Sequence, residues 1–195
     1  DGVLFDLAAT DLRSQREELR RTIQERCELA AQFINAHNRP AIAWCHLNDE
    51  GKLLEQLIPD GKNIEGSDSD EEKKEAFQAF SKGQLRVIIS KPKIAGFGLN
   101  WQHCSDITYF PSHSYEQYYQ AIRRCWRFGQ KRAVRADIIS TPGQIIVLEN
   151  LKRKSEAADK MFDNLVSLMC DELRINKQDR YIKQEVVPVW LSQIR

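Results

Sequence analysis

Leu85-Arg86-Val87-Ile88-Ile89-Ser90 followed by Lys91-Pro92-Lys93-Ile94-Ala95-Gly96-Phe97-Gly98-Leu99-Asn100 decides the fold class. The first six residues are a short apolar run of the kind that forms a strand buried on both faces, as in parallel sheets. The glycine-rich stretch after it reads as a turn at the carboxyl end of that strand, where open α/β sheets bind ligands. Its glycines let backbone N–H groups come close to phosphate oxygens, although a merely tight turn gives the same pattern. Upstream lies a second buried-type strand, Ala41–Cys45, behind one long amphipathic helix expected from Thr10 to about Asn38 and stopped by Arg39-Pro40. A helix over Asp49–Leu57, a short strand near Asn63–Glu65 and a helix opened by Ser67-Asp68-Ser69-Asp70-Glu71-Glu72 fill the interval. Downstream come a strand over Asp106–Phe110, a helix over Ser114–Phe128, a strand over Val134–Ser140 and a helical pattern from Ile145 to about Met169. Strands alternating with helices predict a parallel α/β sheet.

The helix expected over Ser114–Phe128 carries the most informative chemistry. At about 100° per residue, Tyr115, Tyr119, Ile122 and Trp126 fall in one stripe, and Gln120, Arg124 and Arg127 in a roughly opposite one. Ser114 and Gln117 suit a capping box, and Gly129 suits a left-handed residue that closes the helix. The pattern predicts a helix anchored by aromatics that presents two guanidiniums and an amide together. Planar, permanently charged forks match phosphate oxygens and charge developing in phosphoryl transfer. The same run also reads as a solvated basic face.

Together these segments resemble the C-terminal lobe of superfamily 2 helicases, in particular the Swi/Snf-type branch. Gly96-Phe97-Gly98-Leu99-Asn100 resembles its motif V, and Gln120 through Gln130 its motif VI. Ala41–His46 stands where motif IV belongs, and Ile64-Glu65-Gly66-Ser67 where the next strand-to-helix turn belongs. The resemblance covers about Thr10 to Met169. It implies a RecA-like three-layer sandwich with a mostly parallel central sheet, an N-terminal helix and a C-terminal helical extension. The implied domain runs over 11–170, between a tail at 1–10 and an extension at 171–195 of unassigned role.

The same resemblance implies roles. Arg124 and Arg127 would face the γ-phosphate of ATP as arginine fingers, with Gln120 beside that phosphate or the attacking water. Gly98 would approach the nucleotide through its backbone. Gly66, Ser67, Ser90, Lys91 and Asn100 would lie along the DNA backbone. Against the contact at Gly66-Ser67, the acids at 68 and 70–72 cap that helix start and repel phosphate. The Ser-Lys-Pro-Lys-Ile-Ala stretch before Gly96 is longer than the remodellers' Ser-Thr-Lys-Ala-Gly, which suggests a bacterial or phage helicase. Lys131, Arg132 and Arg135 are either solvated or further phosphate contacts.

What the sequence lacks narrows the function. There is no GxxxxGK[ST], since Gly51-Lys52 and Gly61-Lys62 are too short, and no apolar strand ending in Asp-Glu to hold Mg²⁺. ATP with Mg²⁺ is therefore expected to be held mainly by an N-terminal RecA-like lobe, in the same full-length protein or a separate subunit. The chain is expected to be a fragment or subunit that does not hydrolyse ATP alone. The alternative is a non-catalytic nucleic-acid-binding or interaction module that keeps the fold. An unrelated nucleotide-binding α/β protein would need a complete phosphate site within the chain.

Composition fits this reading. The 195 residues are 42% hydrophobic with a net charge of +1, so nucleic-acid contact must come from local patches. The five cysteines include no CxxC pair, and with no signal peptide they suggest a reducing cytoplasm. His37, His46, His103 and His113 show no ligand spacing, so no metal site is expected. No apolar run is long enough to span a bilayer.

Overall fold

The computed structural model describes residues 12–95 and 99–179, with side chains placed for 13–95 and 99–167. Gly96, Gly98, the tail at 1–10 and residues 180–195 lie outside the described residues. The chain divides into two compact units, residues 1–154 and 155–195.

The first unit is built on five strands: β1 (Ala41–Trp44), β2 (Gly61–Ile64), β3 (Val87–Ser90), β4 (Asp106–Tyr109) and β5 (Arg135–Ile138). They form one sheet in the order β2-β3-β1-β4-β5, and every pairing is parallel. Crossovers are supplied by α3 (Asn48–Leu57), α4 (Asp70–Ser81) and α5 (Tyr115–Arg123), after an N-terminal pair α1 (Leu12–Arg21) and α2 (Ile23–Asn35). Strand parity builds two cores. Ala41, Ala43, Val87 and Ile89 pack with Cys27, Ala30, Ala31 and Ile34 of α2 and Leu54 of α3. Ile42, Trp44, Ile88, Ile107 and Tyr109 pack with Phe77 and Phe80 of α4 and Ala121 of α5. This is the three-layer, RecA-like arrangement expected from the sequence, with a sheet buried on both faces in its centre.

The expected single helix over Thr10–Asn38 is two helices broken at Thr22. Thr22 Oγ1 donates to the Glu18 carbonyl at 2.7 Å, and Arg26 Nη2 reaches the Leu19 carbonyl at 2.6 Å. Side-chain donors compete with the backbone ladder and bend it, a conflict that a hydrophobic periodicity does not register. Beyond the sheet, a 3₁₀ turn (Pro142–Gln144) leads into α6 (Ile145–Asp179), which begins in the first unit. The expectation of a helix from Ile145 therefore holds.

Register sets where a site can form. Trp44 aligns with Ser90 and Tyr109, Ile64 with Ser90, and Tyr109 with Ile138, so all five strands end together. The loops that leave this edge contain His46, Glu65–Ser69, Lys91, Phe110–Ser114 and Ile139–Thr141.

Candidate nucleotide and nucleic-acid site

The arginine segment begins on α5 and leaves it early. Ser114 Oγ accepts from the Gln117 N–H at 3.3 Å and starts the helix, as expected. The helix ends at Arg123, not Phe128. Its continuation is drawn out of helical form by donors from the 99–104 stretch and from Gln130. The Arg124 carbonyl accepts from Trp101 N–H at 2.9 Å, and the Cys125 carbonyl from the Gln130 amide at 3.2 Å. The Gln130 amide also reaches the Cys104 carbonyl at 3.0 Å, and Gln102 donates to the Phe128 carbonyl. Arg127 Nη1 lies 3.4 Å from the Leu99 carbonyl. Gly129 takes the positive φ of 92° expected of it, at the close of this turn.

The stripe expected from a helical wheel is therefore not formed, because two of its three members lie beyond the helix. Gln120 is on α5, where its amide donates to Glu116 at 3.1 Å. Arg124 is only 7% exposed, while Arg127 is exposed. Burial lowers the Arg124 pKa, and the neighbouring Arg127 charge lowers it further. The structure thus brings Arg124 and Arg127 into electrostatic range but does not join Gln120 to them.

The aromatic anchor also differs. Buried Ala121 and Cys125, with the partly buried Tyr118 and Ile122, face the core. Tyr118 meets Tyr109 edge-on at 5.3 Å. Tyr119 and Trp126 are 44% and 54% exposed instead. A hydrophobic stripe measures pattern alone and does not fix which side of the helix meets the sheet.

At the DNA-side positions, Ser90 is fully buried and its hydroxyl donates to the Ile64 carbonyl at 3.1 Å. Its hydroxyl, expected along the DNA backbone, is engaged within the sheet, which follows from its place in the central-sheet register. Lys91, one residue on, is partly exposed and donates to Asn48, and Asn100 is exposed. Gly66 and Ser67 are exposed but do not start a helix. The helix α4 begins at Asp70 behind the Ser69 cap, where the Ser69 N–H and hydroxyl donate to Glu72 at 2.9 Å. Ser69 bonding holds the Glu72 carboxyl below the ordinary carboxylate range. The helix start is thus satisfied by its own side chains. The Gly98 assignment lies outside the described residues.

Sequence reasoning missed a buried hub beneath the strand ends. Arg26 Nη1 stands 2.7 Å from Glu50 Oε1, with side chains 1% and 0% exposed. Glu50 Oε2 accepts from the N–H groups of His46 and Leu47 at 2.8 and 2.9 Å. His46 Nε2 donates to the Phe110 carbonyl at 2.8 Å, and the Arg26 guanidinium covers the Phe110 ring at 4.8 Å. Burial holds the His46 pKa below its ordinary value. The hub ties α2 to the loops after β1 and β4. No sequence spacing marks it, because its members are far apart in the chain. His113 is a second tie, between Gln15 of α1 at 2.9 Å and Asn150 of α6 at 3.1 Å. Among the described residues, no three His, Cys, Asp or Glu side chains cluster as a metal site.

Fold and site together define a RecA-like α/β lobe whose arginine segment is held at one end of α5. The chain belongs to the helicase conserved C-terminal domain family, which matches residues 21–129. Its fold is similar to that of the C-terminal domain of the DEAD-box protein Dbp5 (TM-score 0.58, 14% identity, covering 67% of this chain and 78% of that one). It is also similar to S. cerevisiae Dbp5 bound to Gle1 and IP6 (TM-score 0.60, 12% identity, 68% and 36% covered). A third likeness is to the C-terminal part of the Fun30 ATPase domain (TM-score 0.52, 16% identity, covering 58% of this chain). The chain spans 39% of that Fun30 structure. No curated protein matches the chain.

Proposed function

We propose that the chain is the second motor lobe of an ATP-dependent DNA helicase or translocase of the Swi/Snf-type branch. In this reading Arg124 and Arg127 reach toward the γ-phosphate of a nucleotide bound mainly by an N-terminal RecA-like lobe. The observation that supports it is the pair itself. Two guanidiniums stand within electrostatic reach, one of them withdrawn from water, so burial and the nearby Arg127 charge both make the Arg124 charge costlier. A polyanion placed between them relieves that repulsion, and more so as transfer spreads negative charge over the phosphoryl oxygens. Gln120, on the preceding turn of α5, would orient the attacking water. Mg²⁺ would be held by the first lobe, since this sequence has no apolar strand ending in an Asp-Glu pair. Lys91 and Asn100, partly exposed and exposed beyond the end of β3, are the remaining candidates for the DNA backbone. The cytoplasm of a bacterial or phage-infected cell is the proposed setting, the isolated thiols suiting a reducing compartment and the long Ser90–Gly96 spacing such a source.

The test is steady-state ATPase of the complete two-lobe motor with saturating DNA. Arg127→Ala and Arg124→Ala should each lower kcat by about 10³-fold or more, the scale of a lost arginine finger. Unchanged turnover in both variants would overturn the reading. Without a first lobe, this 195-residue chain should show no DNA-stimulated hydrolysis.

A further inference from the structure

Arg123 and Arg124 are neighbours with opposite surroundings. Arg124 is buried, whereas Arg123 is exposed and lies over two aromatic faces, 5.8 Å from the Tyr119 ring centre and 5.3 Å from that of Trp126. Both rings are themselves about half exposed, and Phe128 beyond them is fully exposed. Tyr115 extends the row, 6.0 Å from Tyr119. Apolar rings left in water on a folded lobe mark an interaction surface when they are contiguous.

The charge around them says what kind. Close to the rings in sequence stand the exposed Arg123, Arg127, Lys131 and Arg132, with no Asp or Glu between Gln117 and Val134, whereas Arg124 is buried and Arg135 pairs with Asp137. Rings interleaved with cations on an open surface suit a ligand with planar faces joined by negative charges. Bases stack on aromatic side chains and on guanidinium planes, while phosphates pair with the cations.

We propose that Tyr119, Arg123 and Trp126 form a base-stacking platform for single-stranded nucleic acid, distinct from the phosphate-facing role given to Arg124 and Arg127. The inference rests on the nucleic-acid reading above and adds to it a contact with bases. A strand is favoured over a mononucleotide because several rings, Tyr115, Tyr119 and Trp126, are available for stacking, and the exposed Lys131 and Arg132 follow them in sequence.

The test uses the 195-residue chain and two labelled 16-mers, oligo(dT) and an abasic strand with the same phosphates, followed by fluorescence anisotropy. Wild type should bind oligo(dT) at least tenfold tighter than the abasic strand. Trp126→Ala should lose about tenfold of the oligo(dT) affinity, with little change on the abasic strand, and Trp126→Phe should recover most of it. Trp126 is half exposed, and circular dichroism checks that the fold is kept. Equal binding of both strands by wild type, weakened by salt, overturns the platform while leaving phosphate contact intact. Failure of wild type to bind either strand overturns the platform and the nucleic-acid reading together. Quenching of tryptophan emission by ATP or ADP in wild type but not in Trp126→Phe, with no preference for oligo(dT), assigns the rings to a mononucleotide and overturns the strand assignment. An unaffected Trp126→Ala in both binding assays points to a protein-facing surface and likewise overturns it.

Discussion

Arg26 and Glu50 meet at 2.7 Å with both side chains withdrawn from water, at the point where α2 passes the end of β1. Removing one member leaves a charge in the core with nothing opposite it, which costs about 3–5 kcal/mol in such pairs. Arg26→Met should therefore destabilise the lobe by about that amount, read as a fall in the urea midpoint at constant m-value. A loss below about 1 kcal/mol would mean that water reaches Glu50.

The same carboxylate bears on two thiols. Burial, followed by the Glu50 charge, pushes Cys27 and Cys45 up to about 12. Only the thiolate reacts quickly. Native protein at pH 8 should thus leave both cysteines unlabelled by a disulfide reagent, with labelling appearing only through the unfolding transition. Rapid native labelling of either one counts against their burial.

Much of this architecture is legible in the sequence, because strand runs such as Ala41–Trp44 and Val87–Ser90 are apolar on both faces. Glycine and hydroxyl signals also located Gly129 and the Ser114 cap. What the sequence hides is competition for backbone carbonyls. The break at Thr22 and the end of α5 at Arg123 both arise from donors that reach over from elsewhere, and periodicity cannot see them. The order of residues likewise conceals that Ser90 faces into the sheet, since a strand's last residue and a loop's first look alike in sequence.

Ser90→Ala separates the bond within the sheet from the DNA contact expected of Ser90. With its hydroxyl gone, the Ile64 carbonyl loses a buried donor, and a deficit of about 1–3 kcal/mol is expected in denaturant unfolding. Affinity for oligo(dT) should change by less than twofold. A large affinity loss with intact stability would return Ser90 to the binding surface.

At the opposite edge of the sheet, Arg39 donates to both oxygens of Asp106 at 2.9 and 2.6 Å. These bonds hold the Asp106 carboxyl below its ordinary value, with Ser105 adding to the effect. The folded pKa lies below the unfolded one, about 3.9. The unfolded chain therefore takes up its proton first as pH falls, and the stabilisation present above pH 4 is lost on acidification. Thermal midpoints from pH 7 to pH 3 should drop further in wild type than in Asp106→Asn. Parallel curves for the two proteins would show that the pair contributes nothing.

Trp101, Gln102 and Gln130 hold the carbonyls that would otherwise have extended α5, so the arginine segment and the stretch following the glycine-rich turn behave as one mechanical part. The reach of Arg127 is then governed by residues that carry no charge and touch no phosphate. Transplanting residues 120–130 alone into another lobe would carry the guanidiniums without the frame that aims them. Conversely, a neutral-looking change at Gln102 or Gln130 would retune the arginines while leaving them in place.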